Sequence, residues 1–323
     1  MSSITLTVGS PQTPTPSPTV SSPPTQTVAP VTTEAPGIKY LHTLRGPKVM
    51  LLGEVGCGKT WVLRTLLPSY TAGGQRKTGA GLKVAAIFTE PGMDAVADVP
   101  CEDGFHFMYI PAATPSWDSL LKSTKLLSTM TMKDLANMDG IEKREYQDFY
   151  KVIQACANFK CDRCQQTFGP MDKLPVGEWA VAFDSLSGLS SMAMNLVIGS
   201  KPVKDKGDWQ IAMDNVERFN TKITNDIDCT VVMLSHIERE PNELTGGENL
   251  TMSTLGRKLA PKLIKPYSDV IHVKRKENNY SWSTVTPNMT LKTRNLTYAE
   301  NLPPTFEPLI KSWRAKGGAQ SES

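Results

Sequence analysis

The 323-residue sequence is most informative first in what it lacks. Six cysteines are too few for a disulfide scaffold in a chain of this length, and they fit a reducing compartment. No apolar run approaches the ~18 residues that a membrane span needs, and the start of the chain shows neither the basic n-region nor the apolar h-region of a secretory signal. The expectation is a cytoplasmic protein with no membrane partner. On that expectation the four Asn-x-Ser/Thr triplets, at Asn249, Asn279, Asn288 and Asn295, are chance matches. A strong charge of one sign is also missing: the net charge of +3 excludes a histone-like or polyanionic protein but leaves room for a local basic face.

Residues 1–36 hold eight prolines, fifteen Ser or Thr, no Lys or Arg and one acid, Glu34. Such a stretch cannot bury enough apolar surface to offset its ordering entropy, so it is expected to be a disordered tail. Beyond it, short apolar runs of strand type alternate with helical spacing. Strands are expected at Lys48–Leu52, Lys83–Thr89, Phe105–Ile110, Glu178–Phe183, Cys229–Leu234 and Asp269–Val273; helices at Thr60–Leu67, Ser116–Met130, Glu142–Phe159 and Asp208–Ile227. This alternation argues for an α/β fold with a mainly parallel central sheet flanked by helices. Residues 37–290 are read as one domain and 291–323 as a C-terminal extension. Two polar stretches, Cys156–Gly177 and Glu238–Asn249, are expected to be long loops or insertions.

Gly53-Glu54-Val55-Gly56-Cys57-Gly58-Lys59-Thr60 matches the P-loop pattern G-x-x-x-x-G-K-[ST] and lies between a strand and a helix start, where phosphate binding requires it. The glycines let backbone amides surround phosphate oxygens, Lys59 reaches the β/γ-phosphates of ATP, and the Thr60 hydroxyl serves Mg²⁺. A second metal-side carboxylate is needed at the end of a buried strand. Trp179-Ala-Val-Ala-Phe-Asp184 supplies it. The next residue is Ser185 rather than the Glu that activates water in many P-loop ATPases, so the base must come from elsewhere or hydrolysis is slow. Glu90, ending the strand Lys83–Thr89, is the candidate base, provided that strand neighbours the Asp184 strand. Ser235-His236, at the end of another strand, could sense the γ-phosphate.

These residues resemble the RecA-like ATPases, and within them the small bacteriophage ATPases related to Sak-type single-strand annealing proteins. The resemblance is carried by Gly53–Thr60, Thr89-Glu90, Ala182-Phe-Asp184-Ser-Leu-Ser-Gly-Leu189 and Met233-Leu-Ser235-His236, and runs from about Gly46 to Val285. It implies a RecA-like P-loop core, Glu90 as catalytic base, His236 as sensor, and ATP- and Mg²⁺-dependent action on DNA in phage recombination or replication, in the host cytoplasm and as a homo-oligomer. A helicase-type motor or loader, and an ATP-dependent binding switch with little turnover, stay open as alternatives.

Two further clusters carry chemistry. Cys161-Asp-Arg-Cys164 is half of a zinc site, but no second pair follows it; Cys101, Cys156 and His106 are available, yet nothing in the spacing selects them, and an unmetallated loop is the expectation. Within residues 257–276, Arg257, Lys258, Lys262, Lys265, Lys274, Arg275 and Lys276 stand against one acid, Asp269, near Tyr267, Tyr280 and Trp282. Bases with interleaved aromatics suit single-stranded DNA, a solvated basic face is the alternative, and one of the bases could instead reach a neighbouring subunit's ATP.

Overall fold

The computed structural model describes residues 44–138, 146–199, 201–241 and 247–319. The tail expected over residues 1–36, and the first residues of the helix expected from Glu142, lie outside these. In chain order, β1 (Lys48–Gly53) leads through the glycine-rich loop into a 3-10 helix (Trp61–Leu66), a hairpin of β2 (Ser69–Ala72) and β3 (Gln75–Thr78), then β4 (Lys83–Phe88) and β5 (Phe105–Tyr109). Helices α1 (Trp117–Thr129), α2 (Met132–Ala136) and α3 (Asp148–Ala157) precede a second hairpin, β6 (Phe159–Lys160) and β7 (Thr167–Gly169). Strand β8 (Trp179–Asp184), α4 (Leu186–Ile198), α5 (Lys206–Asp226), β9 (Thr230–Pro241), β10 (Glu248–Met252), α6 (Ala260–Ile264), β11 (Asp269–Lys276), β12 (Asn279–Ser283) and α7 (Glu307–Ala315) complete the order.

The main sheet runs β12-β11-β1-β9-β8-β4-β5, with β10 paired to β9. Strands β11, β1, β9, β8, β4 and β5 are mutually parallel, while β12 and β10 join antiparallel. Parallel strands buried on both faces need apolar side chains in both directions, and the runs supply them. Met50, Leu52, Val181, Phe183, Val231 and Met233 face a core closed by α3 to α6; Val49, Leu51, Ala182, Val232 and Leu234 face a second core, closed by the 3-10 helix and α7. The architecture is α/β with a mainly parallel central sheet flanked by helices.

Several local expectations are modified. The segment after the P-loop is a six-residue 3-10 helix rather than a full α-helix. Pro68 forces Leu67 into extended backbone (φ −64°, ψ 164°), which ends the helix. Glu238–Asn249 is not simply a loop, because β9 runs on to Pro241 and pairs with β10. The Cys156–Gly177 stretch holds the β6–β7 hairpin. Helix α1 forms where its spacing predicts but buries none of its side chains; Trp117 is 82% exposed. Residues of 291–319 pack against the core. Asp269, fully buried at the start of β11, accepts from Thr293 Oγ1 and the N–H groups of Arg294 and Asn295, each at 2.9 Å, and Trp313 of α7 is 3% exposed.

Candidate nucleotide-binding and catalytic site

The site lies where β1, β8 and β4 end, beside His236 within β9, which runs on past them to Pro241. Gly53 pairs with His236 across β1 and β9, and Phe88 pairs with Asp184 across β4 and β8. The condition placed on Glu90 is thereby met: its strand is the direct neighbour of the Asp184 strand, and β9 alone separates the latter from β1.

The loop Gly53–Thr60 needs its glycines for different reasons. Gly56 and Gly58 sit at φ +73° and +88°, where a side chain is strained; at Gly53 a Cβ would lie 2.5 Å from Cys57 Sγ. Val55 is exposed at the tip, Glu54 pairs with Arg239 at 2.6 Å, and Cys57 is buried beneath. Lys59, only 5% exposed, donates to the carbonyls of Gly53 (2.9 Å) and Glu54 (2.8 Å) and reaches His236 Nδ1 at 3.4 Å. His236 Nε2 lies 3.1 Å from Glu90 Oε2. An ammonium cannot accept and a carboxylate cannot donate, so one neutral tautomer satisfies both contacts: Nε2–H donates to Glu90 and Nδ1 accepts from Lys59. Lysine, imidazole and carboxylate thus form one chain of contacts.

Thr60 Oγ1 donates to Asp184 Oδ2 at 2.5 Å. Two adjacent oxygens, one a carboxylate, form a donor set of the kind a hard cation takes, and Thr60 with Asp184 would hold Mg²⁺. Burial raises the Asp184 pKa above the usual carboxylate range, opposed by the Thr60 hydrogen bond. Glu90 is shifted the other way, held ionised mainly by the His236 hydrogen bond, with Ser185 helping and burial opposing. Two neighbouring carboxylates are thereby driven apart in proton affinity, the pattern that separates roles in a catalytic site.

Residues given no such role from sequence, and two placed elsewhere by it, Arg275 and Tyr280 of the basic-aromatic cluster, hold the site in shape. Thr89 Oγ1 donates to Ser185 O (3.0 Å) and accepts from Ser185 N (2.9 Å), and Thr89 N donates to Asp184 O (2.6 Å), joining the ends of β4 and β8. Ser185, in the place where a Glu was sought, caps α4 by accepting from Gly188 N at 3.3 Å. Tyr280 and Arg275, from the β12–β11 hairpin, lie over the P-loop: a Cβ on Gly58 would sit 3.1 Å from the tyrosine ring, and Arg275 donates to Gly56 O at 3.4 Å. Strand adjacency brings them there, and adjacency has no signature along the chain.

The basic cluster is dispersed by the fold. Arg257 pairs with Glu240 (3.1 Å), Lys262 with Glu217 (2.8 Å) and Lys274 with Glu300 (3.7 Å), whereas Lys258 is exposed. The aromatic half of that reading needs correction: Tyr267 and Trp282 are fully buried, Tyr267 donating to Asn220 Oδ1 at 2.8 Å, so neither ring can stack on a base. Tyr280 alone of the three is exposed. The cysteine reading changes as well, because Cys101, His106, Cys161 and Cys164 come together with ligand atoms all within 4.8 Å of one another, while Cys156 stands apart.

No curated protein matches the chain. Among solved structures, an ATPase from the type III secretion system of pathogenic bacteria is similar at 10% identity and a TM-score of 0.36, over 72% of this chain and 52% of that one; the present chain thus spans about half of that ATPase. Residues 45–301, which contain the P-loop, Glu90, Asp184 and His236, match the AAA domain family. With a complete P-loop at the end of β1 and a match over most of its length, the chain belongs to the AAA domain family and is a P-loop ATPase.

Proposed function

We propose that this ATPase hydrolyses ATP by positioning a water with Glu90 and acts on single-stranded DNA in phage recombination or replication. The observation that carries the hydrolytic part is the convergence of Lys59, Thr60, Glu90, Asp184 and His236 on one side of four adjacent strands, β1, β9, β8 and β4. Mg²⁺, held by Thr60 and Asp184, would neutralise phosphate charge. Lys59 binds the β/γ-phosphates, and Glu90 takes the proton from the attacking water.

His236 links these two events. When a phosphate draws Lys59 away, the imidazole loses its partner at Nδ1 and is free to turn from Glu90 toward the phosphate. Glu90 then loses the hydrogen bond that chiefly lowers its pKa and becomes a stronger base once substrate is present. This coupling also supports the second reading, a switch whose turnover is held back until His236 is displaced.

The DNA part rests on the motif resemblance to phage annealing ATPases and on the exposed bases Lys258, Lys265 and Lys276. Steady-state phosphate release with and without single-stranded DNA tests it. Stimulation by DNA, with annealing of complementary strands, is expected. Robust hydrolysis indifferent to DNA removes the DNA assignment; binding of ATP with no release under either condition favours the switch.

A further inference from the structure

We propose that Cys101, His106, Cys161 and Cys164 form a structural zinc site that fastens the β6–β7 hairpin to the edge of the main sheet. Cys101 opens a short 3-10 turn and His106 lies in β5; Cys161 and Cys164 lie between β6 and β7. Two pairs from segments far apart in sequence therefore face one another.

The distances suit a metal better than the alternatives. Zinc with Zn–S of about 2.3 Å and Zn–N of about 2.0–2.1 Å in a tetrahedron sets S···S edges near 3.8 Å and S···N edges near 3.6 Å. Cys101 Sγ lies 3.9 Å from Cys161 Sγ, and Cys164 Sγ lies 3.6 Å from His106 Nδ1. A disulfide would need about 2.05 Å between the sulfurs and would leave His106 and Cys164 without a task. Three thiolates and an imidazole are a set that selects zinc over magnesium or calcium. Four protein ligands leave no open position, so the site is structural rather than catalytic.

The surroundings hold the ligands in place. Arg163, inside the Cys161–Cys164 pair, donates to Val99 O (2.5 Å) and Phe105 O (2.6 Å), residues flanking the other pair, and brings a positive charge beside three thiolates. Asp162 N donates to Phe107 O (2.8 Å), and Tyr109 N donates to Asp162 Oδ2 (2.7 Å), so this turn occupies the outer edge of β5. The His106 ring packs against Phe168 and Trp179, with centroids at 4.4 and 5.9 Å. A metal here would close a sheet edge that otherwise invites pairing with another chain.

Metal analysis of the purified full-length protein tests this. About one zinc per chain is expected after gel filtration, as a closed four-ligand site requires. Protein loaded with cobalt should show thiolate-to-cobalt charge transfer and the intense visible bands of tetrahedral coordination. Cys161→Ser with Cys164→Ser should lose the bound metal, whereas Cys156→Ser should keep it. If the double variant does not fold, the cobalt spectrum of the wild type decides. Wild type with only trace zinc, as purified and after zinc addition, overturns the proposal, as does a weak octahedral cobalt spectrum, equal metal loss in Cys156→Ser, or a Cys101–Cys161 disulfide in protein purified anaerobically without added reductant.

Discussion

Lys59 donates to two carbonyls of its own loop and contacts His236, and an incoming phosphate competes for the same ammonium. Two substitutions separate its role from that of Glu90. Lys59→Ala removes charged hydrogen bonds worth about 1.5–3 kcal/mol each, so ATP affinity should fall by at least ~10-fold. Glu90→Gln keeps size and hydrogen-bonding reach but loses the base, so turnover should fall ~10²–10⁴-fold while ATP still binds. Nucleotide titration and phosphate release on both folded variants make the comparison; wild-type turnover in Glu90→Gln would remove Glu90 as the base. Because the Glu90 pKa is lowered in the folded protein, its ionised form adds stability above the unfolded value, lost only as pH falls through the folded one. In the free enzyme, and so in kcat/KM, Glu90 therefore contributes no loss on acidification until pH falls below the ordinary glutamate range.

The elements position these side chains through a few close approaches. Where the N-terminus of α4 crosses the end of β4, a Cβ on Gly188 would lie 2.3 Å from Thr89 Oγ1 and 3.2 Å from Glu90 Cγ. Gly188→Ala favours the helix by up to ~1 kcal/mol yet pushes on the residue before the base. Turnover should fall several-fold and the melting temperature should drop, since overpacking against buried Thr89 costs about 1–3 kcal/mol, while ATP affinity stays nearly unchanged; unaltered turnover would mean that the end of β4 yields freely. Much at this scale was readable in the sequence. The run Lys-Val-Met-Leu-Leu followed by glycines places β1 and its loop, Asp184 ends β8, and His236 falls where the apolar run of β9 stops although the strand continues to Pro241. Contacts between distant segments were not readable. Cys101 and His106 lie far upstream of Cys161, and only the docking of the Cys161–Cys164 turn on the edge of β5 brings them near. Tyr267 and Trp282 look like stacking platforms beside lysines, but burial is decided by which helix or strand covers them, and short windows carry no such information.

At the scale of the whole molecule, acid should weaken the fold through His272. Burial, with Lys274 adding to it and Glu54 opposing, pushes its pKa down to about 4, and its Nδ1 meets Thr286 Oγ1 at 3.1 Å. Unfolded histidine takes its proton near 6.5, so stability is full above that pH and is lost as pH falls from about 6.5 to about 4. Urea midpoints across this window should drop in the wild type and drop less in His272→Gln; equal slopes would assign the loss to other groups. The strand order has a consequence of a different kind. Helices α1 and α2 bury no side chains, so a protease cut between residues 117 and 138 should leave the core untouched. The two fragments would remain interleaved, since β1 lies between β11 and β9, and β4 between β8 and β5. Lys59, Thr60 and Glu90 would belong to one piece, Asp184 and His236 to the other. Neither fragment alone would have a complete site, and co-expressing 44–116 with 139–319 would make ATP hydrolysis a direct report that two separate polypeptides have found each other.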